Sequence, residues 1–431
     1  MNDTKNPCEL SAIEALNRIR AGTLTSEVLV ESCLQRIEER EDTVGAWQFL
    51  SPEQALAAAR RSDQDAFDGP LRGIPVGAKD IFDTVDMPTA YGSPIYEGYC
   101  PQADASCVAQ IRAAGGVLLG KTVTTEFAFF KPGKTTNPHN PTHTPGGSSS
   151  GSAAAVADFM VPLALGSQTV GSTLRPASYC GIVGYKPSFG YIDRTGVRTL
   201  AETFDTVGVF SRSVPDAAYF VSIISRRPSL CVDDKLSGSP SVGICQTYEW
   251  PAADEDARAV FETAAGLIDK AGGHLSEVTL PEEFRHLTDA QALIADFEAA
   301  NSAAYELNSR RDSVSKSYLE RAETGLSYTE KQYDDALSVV TRAQNSFDAV
   351  MEGVDALLCP SATGQAPEGL DATGNPIFNR LGTALKGPCV NIPGLSGHSG
   401  LPVGVQLIGR IKDDRQILAT ADWMHGILQR R

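Results

Sequence analysis

The chain of 431 residues lacks several features that would assign it to particular classes of protein. It has no cluster of lysine and arginine beyond doublets such as Arg60-Arg61, and its formal net charge is -16. A surface of that sign repels nucleic acid and anionic membranes, so we predict that neither is a partner. The most apolar stretch, residues 153–165, is interrupted by Asp158 and Pro162 and is too short to span a bilayer.

Signals for disulfides, secretion and metal binding are also missing. The nine cysteines are odd in number, widely spread and without a C-x-x-C pair, which is typical of free thiols in a reducing compartment. The first ten residues contain no basic region followed by an apolar one, so we expect no secretory leader and a cytoplasmic location. His139 and His143 have no third ligand nearby, and we predict neither a metal nor a cofactor.

What the sequence does contain is an alternation of helical and extended patterns, which predicts an α/β fold. Asp104 is the expected cap of a helix, and no change in composition marks a linker, so we expect one domain over residues 1–431. The predicted elements include helices at 9–20, 25–37, 52–64, 254–271 and several between 283 and 353, and strands at 74–80, 117–119, 241–245, 274–280, 354–359, 389–393 and 402–409.

Two glycine-flanked serine sites, residues 146–152 and 166–172, are the most unusual part of the chain. Glycines let the backbone turn sharply and approach a ligand, so a serine among them can present its hydroxyl beside bare N–H donors. A nucleophile and its oxyanion hole require this arrangement. A flexible linker is the plainer interpretation, but the apolar segments that adjoin both sites argue against it.

A serine nucleophile needs a base, and the sequence offers two kinds. Residues 147–151 fit G-x-S-x-G, which would make Ser149 the nucleophile of an α/β-hydrolase with a histidine base, although the proline-rich segment before it is not a buried strand. Lys79 instead ends an apolar strand, where burial favours the neutral amine that can accept a proton. A lysine whose ammonium reaches solvent is the alternative interpretation of Lys79.

Several stretches taken together resemble the amidase signature family. The resemblance implies an open mixed β-sheet covered by α-helices on both sides, with a signature core at about residues 71–190. The matching stretches are LRGIPVGAKD at 71–80, GGSSSGS at 146–152, GSQTVGS at 166–172 and GIVGYKP at 181–187.

The resemblance also implies a role for each residue of the site. The common family form of the oxyanion turn is Gly-Gly-Ser, and many members have an aspartate where this chain has Gln168, so both Val170 and Gln168 depart from the pattern. The implied roles are base for Lys79, bridging serine for Ser148 after a cis peptide bond from Gly147, nucleophile for Ser172, oxyanion hole for the N–H groups of Thr169, Val170, Gly171 and Ser172, and substrate contacts for Gly147, Ser149, Gln168 and Arg175.

Within the family, the spacing of Ser172 and Arg175 resembles compact bacterial amidases such as malonamidase, in which an arginine and a later glutamine hold a carboxylate. Ala295 falls at that glutamine, which favours an apolar or aryl amide, or a urethane, over a malonamate-like substrate. We therefore expect a cofactor-independent amidohydrolase of small amides or carbamates, as a monomer or a homodimer. The alternatives are a glutaminase-type subunit of a tRNA-dependent amidotransferase assembly, the α/β-hydrolase with Ser149, and an inactive relative.

Overall fold

The structure, a computed structural model, describes residues 5–64, 68–232 and 238–429. The strands are β1 (Trp47–Leu50), β2 (Pro75–Lys79), β3 (Val117–Thr122), β4 (Leu163–Gln168), β5 (Val183–Lys186), β6 (Thr206–Ser211), β7 (Ser241–Ile244), β8 (His274–Glu277), β9 (Ala356–Pro360), β10 (Cys389–Ile392) and β11 (Val405–Ile408). The α-helices are α1 (Ala12–Arg20), α2 (Ser26–Val44), α3 (Pro52–Gln64), α4 (Ser106–Ala113), α5 (Ser150–Ala157), α6 (Leu174–Cys180), α7 (Val214–Ile224), α8 (Glu255–Lys270), α9 (Leu287–Ser302), α10 (Ala304–Ser309), α11 (Lys316–Ser327), α12 (Glu330–Val350), α13 (Arg380–Ala384) and α14 (Asp414–Leu428).

The eleven strands within these ranges form one open sheet in the order β1-β3-β2-β4-β6-β5-β10-β11-β9-β7-β8. Strands β3, β2 and β4 are parallel, as are β9, β7 and β8, whereas the strands between these groups pair antiparallel. The prediction of an α/β fold with an open mixed sheet is confirmed. Whether the chain is one domain stays a prediction.

Burial explains why some strands were visible in the sequence and others were not. Every residue of β2, β3 and β4 is buried, in keeping with the nearly continuous apolar runs of strands that are covered on both faces. The edge strand β8 is largely exposed and polar, and only its position after an amphipathic helix indicated it. The apolar stretch 153–165 is not one element, because it divides between the end of α5 and the start of β4.

Helix ends follow local capping chemistry, with one correction. The side chain of Thr25 accepts a hydrogen bond from Val28 N–H at the start of α2. Asp104 does not cap α4, because Ala105 occupies that position and makes no side-chain bond. The Asp104 carboxylate instead accepts from Val85 N–H at 2.9 Å and pairs with Arg112 at 3.0 Å.

The parallel pairing of β2 with β4 determines where the predicted site forms. Since parallel strands point the same way, Lys79 at the end of β2 lies at the same sheet edge as residues 169–172, which follow β4. Ser148 and Ser149 immediately precede α5, whose residues contact β2, β3 and β4. None of the helices within the described ranges combines the length and apolar character needed to cross a membrane.

Candidate active site

Lys79 ends β2 with its side chain fully buried among hydroxyl groups. Its Nζ lies 2.7 Å from Ser148 Oγ and 2.8 Å from Ser167 Oγ. Burial lowers the pKa of Lys79 to about 7, and the negative charge of Asp205 opposes that shift. A lysine with this pKa is partly neutral near pH 7, so it can accept a proton.

Ser148 is held between Lys79 and two neighbouring backbone segments. The peptide bond from Gly147 to Ser148 is cis, and the Ser148 carbonyl accepts a hydrogen bond from Thr125 N–H at 3.3 Å. On the other side of this peptide, the Gly147 carbonyl accepts from Arg175 Nη2 at 2.6 Å. The orientation of the Ser148 hydroxyl is therefore set by contacts with residues that follow β3 and residues of α6.

Ser172 lies in the turn between β4 and α6, and this turn presents its N–H groups unpaired. The carbonyl of Thr169 accepts from Gln291 Nε2 at 2.9 Å, and that of Val170 accepts from Thr383 Oγ1 at 2.8 Å. Within the described ranges, the N–H groups of residues 169–172 donate to no protein acceptor. The two carbonyls are held by hydrogen bonds and the N–H groups of the turn remain available, which is the arrangement that an oxyanion hole requires.

The side chain of Gln168 stabilises this turn through three hydrogen bonds. Its Oε1 accepts from the N–H groups of Thr173 and Leu174 at 3.0 and 3.1 Å, and its Nε2 donates to Thr383 Oγ1 at 2.9 Å. Both polar atoms of the Gln168 amide are thus hydrogen-bonded within the protein. A direct contact of Gln168 with substrate stays a prediction. Val170 is partly exposed, unlike its buried neighbour Thr169.

Arg175 is buried and holds the segment around Ser148 in place through hydrogen bonds. Besides the Gly147 carbonyl, its guanidinium donates to Thr373 Oγ1 and to the Gly374 carbonyl, both at 3.0 Å. Burial lowers the pKa of Arg175 to about 10, which leaves it charged at neutral pH. Its predicted role as the group that binds a substrate carboxylate stays a prediction, because these bonds already employ both terminal nitrogens.

Ser149 has no base beside it. Its hydroxyl donates to the Ser167 carbonyl and accepts from the Ser167 N–H, both at 3.3 Å, and it is fully buried. In the part of the chain that the structure describes, no histidine makes a hydrogen bond to Ser149. The geometry therefore does not support the α/β-hydrolase alternative, which needs that histidine.

Asp205 is a buried carboxylate that sequence reasoning did not identify. It precedes β6, accepts from Thr169 Oγ1 at 2.5 Å, and receives the N–H groups of Leu200 and Ala201 at 2.8 and 3.1 Å. Burial raises the pKa of Asp205 to about 6, against the hydrogen bonds that lower it. Asp205 therefore both binds a residue of the oxyanion turn and raises the pKa of Lys79 through its charge.

An aromatic segment after β3 forms another part of the site's surroundings. Phe127 and Ala128 have φ angles of 50° and 60°, a left-handed conformation that residues with a Cβ rarely adopt and that is frequent at functional sites. Thr125 Oγ1 donates to the Phe129 carbonyl at 3.0 Å, which ties this segment to the contact with Ser148. The ring of the exposed Phe130 has its centroid 5.1 Å from the Arg321 guanidinium.

Gln291 and Arg380 were also missed. Gln291 is fully buried on α9, and its Oε1 accepts a short hydrogen bond from Arg380 Nη1 at the start of α13. Ala295, which the sequence comparison placed at the glutamine of malonamidase-like enzymes, lies one helical turn after Gln291 and is buried. Only its closeness to Ala295 could have pointed to Gln291, and no local pattern marks Arg380.

The two histidines considered as metal ligands are engaged elsewhere. His139 Nε2 lies 2.9 Å from the Cys180 carbonyl, and His143 Nδ1 lies 3.0 Å from Thr142 Oγ1. Across residues 5–64, 68–232 and 238–429, no three His, Cys, Asp or Glu side chains are grouped so that they could hold a metal ion.

Comparisons with known proteins agree with this geometry. The model of the family called Amidase matches residues 28–418. A subunit of the glutamyl-tRNA(Gln) amidotransferase of Natranaerobius thermophilus is 33% identical over 479 aligned positions, covering 98% of this chain and 96% of the relative. A solved amidase structure superposes with a TM-score of 0.89 at 27% identity, covering 97% of this chain and 99% of the other. Peptide amidase from Stenotrophomonas maltophilia gives 0.83 at 26% identity, covering 98% of each chain.

One of these findings overturns a prediction about partners. The sequence led us to expect no nucleic acid partner, and this prediction is wrong, since relatives that match almost the whole chain are named for a tRNA and for an assembly of subunits. The physical reason is that a net charge of -16 bears on what this chain's own surface attracts. It says nothing of an RNA that reaches an assembly through other subunits.

Proposed function

This chain belongs to the amidase signature family, and we propose that it cleaves the C–N bond of a small amide or carbamate through an acyl-enzyme on Ser172. The observation that carries the proposal is the contact of Lys79 Nζ with Ser148 Oγ at 2.7 Å. Its other hydrogen bond goes to Ser167 Oγ, and no carboxylate of the described residues forms an ion pair with it. A neutral amine beside a buried hydroxyl can draw a proton through that hydroxyl from a second serine.

In the first half of the reaction, Ser172 Oγ attacks the carbonyl carbon of the substrate. Its proton passes to Ser148 Oγ, while the proton of Ser148 passes to Lys79 Nζ. The carbonyl oxygen becomes an oxyanion, which the N–H groups of residues 169–172 stabilise. When the C–N bond breaks, the proton returns along the same path to the leaving nitrogen, so charge and protons balance.

In the second half, water replaces the departed amine. Lys79 is neutral again and removes a proton from water through Ser148, and the resulting oxygen nucleophile attacks the acyl carbon. Collapse of the second oxyanion breaks the bond to Ser172 Oγ, which recovers its proton. Apart from this water, neither half uses a group that the chain does not supply.

The neighbouring aromatic segment bears on the acyl portion of the substrate. Phe129 and Phe130 follow the contact between Thr125 and Ser148, and the partly exposed Val170 lies in the oxyanion turn. Apolar side chains at these places can pack against the methylene groups of a linear acyl chain. Carbamates share the planar carbonyl and differ in the atom attached to it, so the same groups can serve both.

The test is hydrolysis of a panel of anilides, primary amides and aryl carbamates by the purified chain and its Ser172→Ala variant. We expect release of amine by the wild type and its loss in the variant, with an acyl adduct on Ser172 detectable by mass spectrometry after rapid quenching. The matched control is Ser150→Ala, at the first residue of α5, two positions after Ser148 and outside the proposed triad. Full activity of Ser172→Ala would refute the proposal.

The relatives favour a second function more directly, as the ammonia-producing component of an amidotransferase. The observation behind it is the 33% identity, over 98% of this chain, to one subunit of a glutamyl-tRNA(Gln) amidotransferase. Both functions share the acyl-enzyme on Ser172 and differ in the substrate and in the fate of ammonia. In the second, the substrate is glutamine and ammonia passes to an acceptor that other subunits hold.

L-Glutamine separates the two functions. A free-standing amidohydrolase should cleave its preferred amide at the same rate with or without other proteins. An amidotransferase component should cleave L-glutamine slowly alone and faster when mixed with the remaining subunits of such an enzyme. The measurement is ammonia release from L-glutamine and from the best amide of the panel, under both conditions.

A further inference from the structure

Arg380 is a cation beside the oxyanion turn with no anion of its own. Within the described residues, the only hydrogen bond of its guanidinium is the short one from Nη1 to the neutral amide oxygen of Gln291. It is partly exposed, and no carboxylate in that part of the chain lies within ion-pair distance of it. A guanidinium has five N–H donors, so most of them are left for another acceptor.

The surroundings of Arg380 connect it to the reacting centre. Gln291, which receives its hydrogen bond, donates in turn to the Thr169 carbonyl at 2.9 Å. Its neighbour Asn379 packs under the turn, where a Cβ on Gly171 would collide with Asn379 Oδ1. That buried oxygen has no hydrogen-bond partner among the described residues. One glutamine side chain therefore separates the guanidinium from the predicted oxyanion hole.

Nearby acids do not neutralise Arg380 directly. Asp296 interacts with it at longer range, but the Asp296 oxygens accept from Arg321 Nη2 at 2.6 and 2.5 Å. Asp289 and Glu249 act on it more weakly, and Glu249 accepts from Thr288 Oγ1 at 2.5 Å. Burial lowers the pKa of Arg380 to about 10, which keeps it cationic at neutral pH.

We propose that Arg380, oriented by Gln291, binds a carboxylate on the acyl portion of the substrate, so that the preferred substrates are linear amides that also carry a carboxylate. The inference rests on the proposed acyl-enzyme function of Ser172 and names its substrate class. It applies to half-amides of dicarboxylic acids and to glutamine alike. A carboxylate can accept two hydrogen bonds from a guanidinium in a planar fork, which makes it the acceptor that suits this group.

The test compares two primary amides of equal length, succinamate and butyramide, which differ by a carboxylate in place of a methyl group. Charge-assisted hydrogen bonds of this kind change affinity by about tenfold or more. In the wild type we expect kcat/KM to favour succinamate by at least about that factor, and Arg380→Gln to remove the preference chiefly through KM. Arg380→Lys, which keeps the charge but not the fork, should restore part of it. Arg342→Gln, which removes a charge from the exposed face of α12, is the control.

Binding without chemistry separates this inference from the proposed function. Calorimetry with succinate should show binding to the Ser172→Ala protein and at least about tenfold weaker binding after Arg380→Gln is added, with thermal unfolding as the check on the fold. Equal succinate affinity in the two proteins would overturn the inference, as would equal rates for succinamate and butyramide in an active enzyme. If the wild type hydrolyses no amide but succinate binding depends on Arg380, the carboxylate site stands and the proposed function fails.

Discussion

Lys79 and Lys121 are fully buried lysines on adjacent parallel strands, yet their surroundings differ in kind. Lys79 meets two serine hydroxyls, whereas Lys121 lies 3.2 Å from the Asp80 carboxylate and donates to the Phe82 carbonyl and to Thr89 Oγ1 at 2.7 and 2.6 Å. Burial lowers the pKa of both lysines, and for Lys121 the neighbouring Asp80 charge opposes the shift most. Burial alone therefore does not turn a lysine into a base. The Asp80 carboxylate stabilises the charged form of Lys121, whereas the neutral hydroxyls around Lys79 do not offset the cost of burying its charge.

The largest expected effect is on catalysis by Lys79→Met. Loss of the base should reduce kcat by about 10³-fold or more, since positioned proton transfer contributes on the order of 10² to 10⁴. Because the variant also removes a buried ammonium that pairs with no carboxylate among the described residues, the melting temperature should stay level or rise. Amide hydrolysis and differential scanning fluorimetry measure the two effects. A variant that kept a tenth of the wild-type rate would show that Lys79 is not the base.

Lys121→Met should have the opposite pattern. Removing this cation leaves Asp80 buried without its partner, which typically lowers the free energy of unfolding by about 3 to 5 kcal/mol. The rate per folded molecule should not change, because Lys121 touches no residue of the predicted triad. Urea unfolding and active-site titration provide these values. Adding Asp80→Asn should recover part of the lost stability, and an unchanged urea midpoint in the single variant would contradict the ion pair.

The pH dependence of both kcat/KM and the free energy of unfolding should reflect the titration of Lys79. Because the neutral amine is the active form and its pKa is about 7, kcat/KM should fall about tenfold per pH unit below 7 and level off above it. Between about 7 and 10.5, the unfolded chain holds the Lys79 proton and the folded chain does not. The contribution of Lys79 to stability therefore rises with pH through that window. Urea unfolding of wild type and Lys79→Met at several pH values checks it, and identical slopes would refute it.

The smallest expected effect is that of Asp205→Asn. The Asp205 charge raises the pKa of Lys79, so its removal should move the acidic limb of kcat/KM to lower pH, by roughly one pH unit or less. The asparagine can still hydrogen-bond to Thr169 Oγ1, which limits changes in the oxyanion turn. Glu202→Gln, on the exposed surface near Asp205, is the control. A limb that moved to higher pH would contradict the assigned electrostatics.

Local patterns were sufficient for the elements that begin the site. The helix at Pro52–Gln64 was predicted with the bounds that it has, because its apolar spacing and its proline are local signals. The buried strand that ends at Lys79 was visible for the same reason, although an equally buried Lys121 on β3 was passed over. Its partner Asp80 adjoins Lys79 in sequence, but only the pairing of β2 with β3 brings it to Lys121.

The supports of the oxyanion turn could not be predicted, because they come from distant parts of the chain. Gln168 and Thr383 are 215 positions apart, and Gln291 and Arg380 are 89 apart. Neither pair belongs to a motif, and their partners depend on how α9 and α13 pack. Motif spacing therefore identified the candidate reacting groups, whereas the groups that hold them in place were found only in three dimensions.

The position of β10 and β11 has a consequence for biosynthesis. These strands, residues 389–408, lie in the middle of the sheet between β5 and β9. A ribosome synthesises the chain from its N-terminal end, so the sheet cannot be completed until almost all of the protein has emerged. A message cut short before Thr383 would still encode Lys79, Ser148 and Ser172, but not the hydroxyl that holds the Val170 carbonyl. We expect such a truncated gene to carry the whole signature and to yield an inactive product.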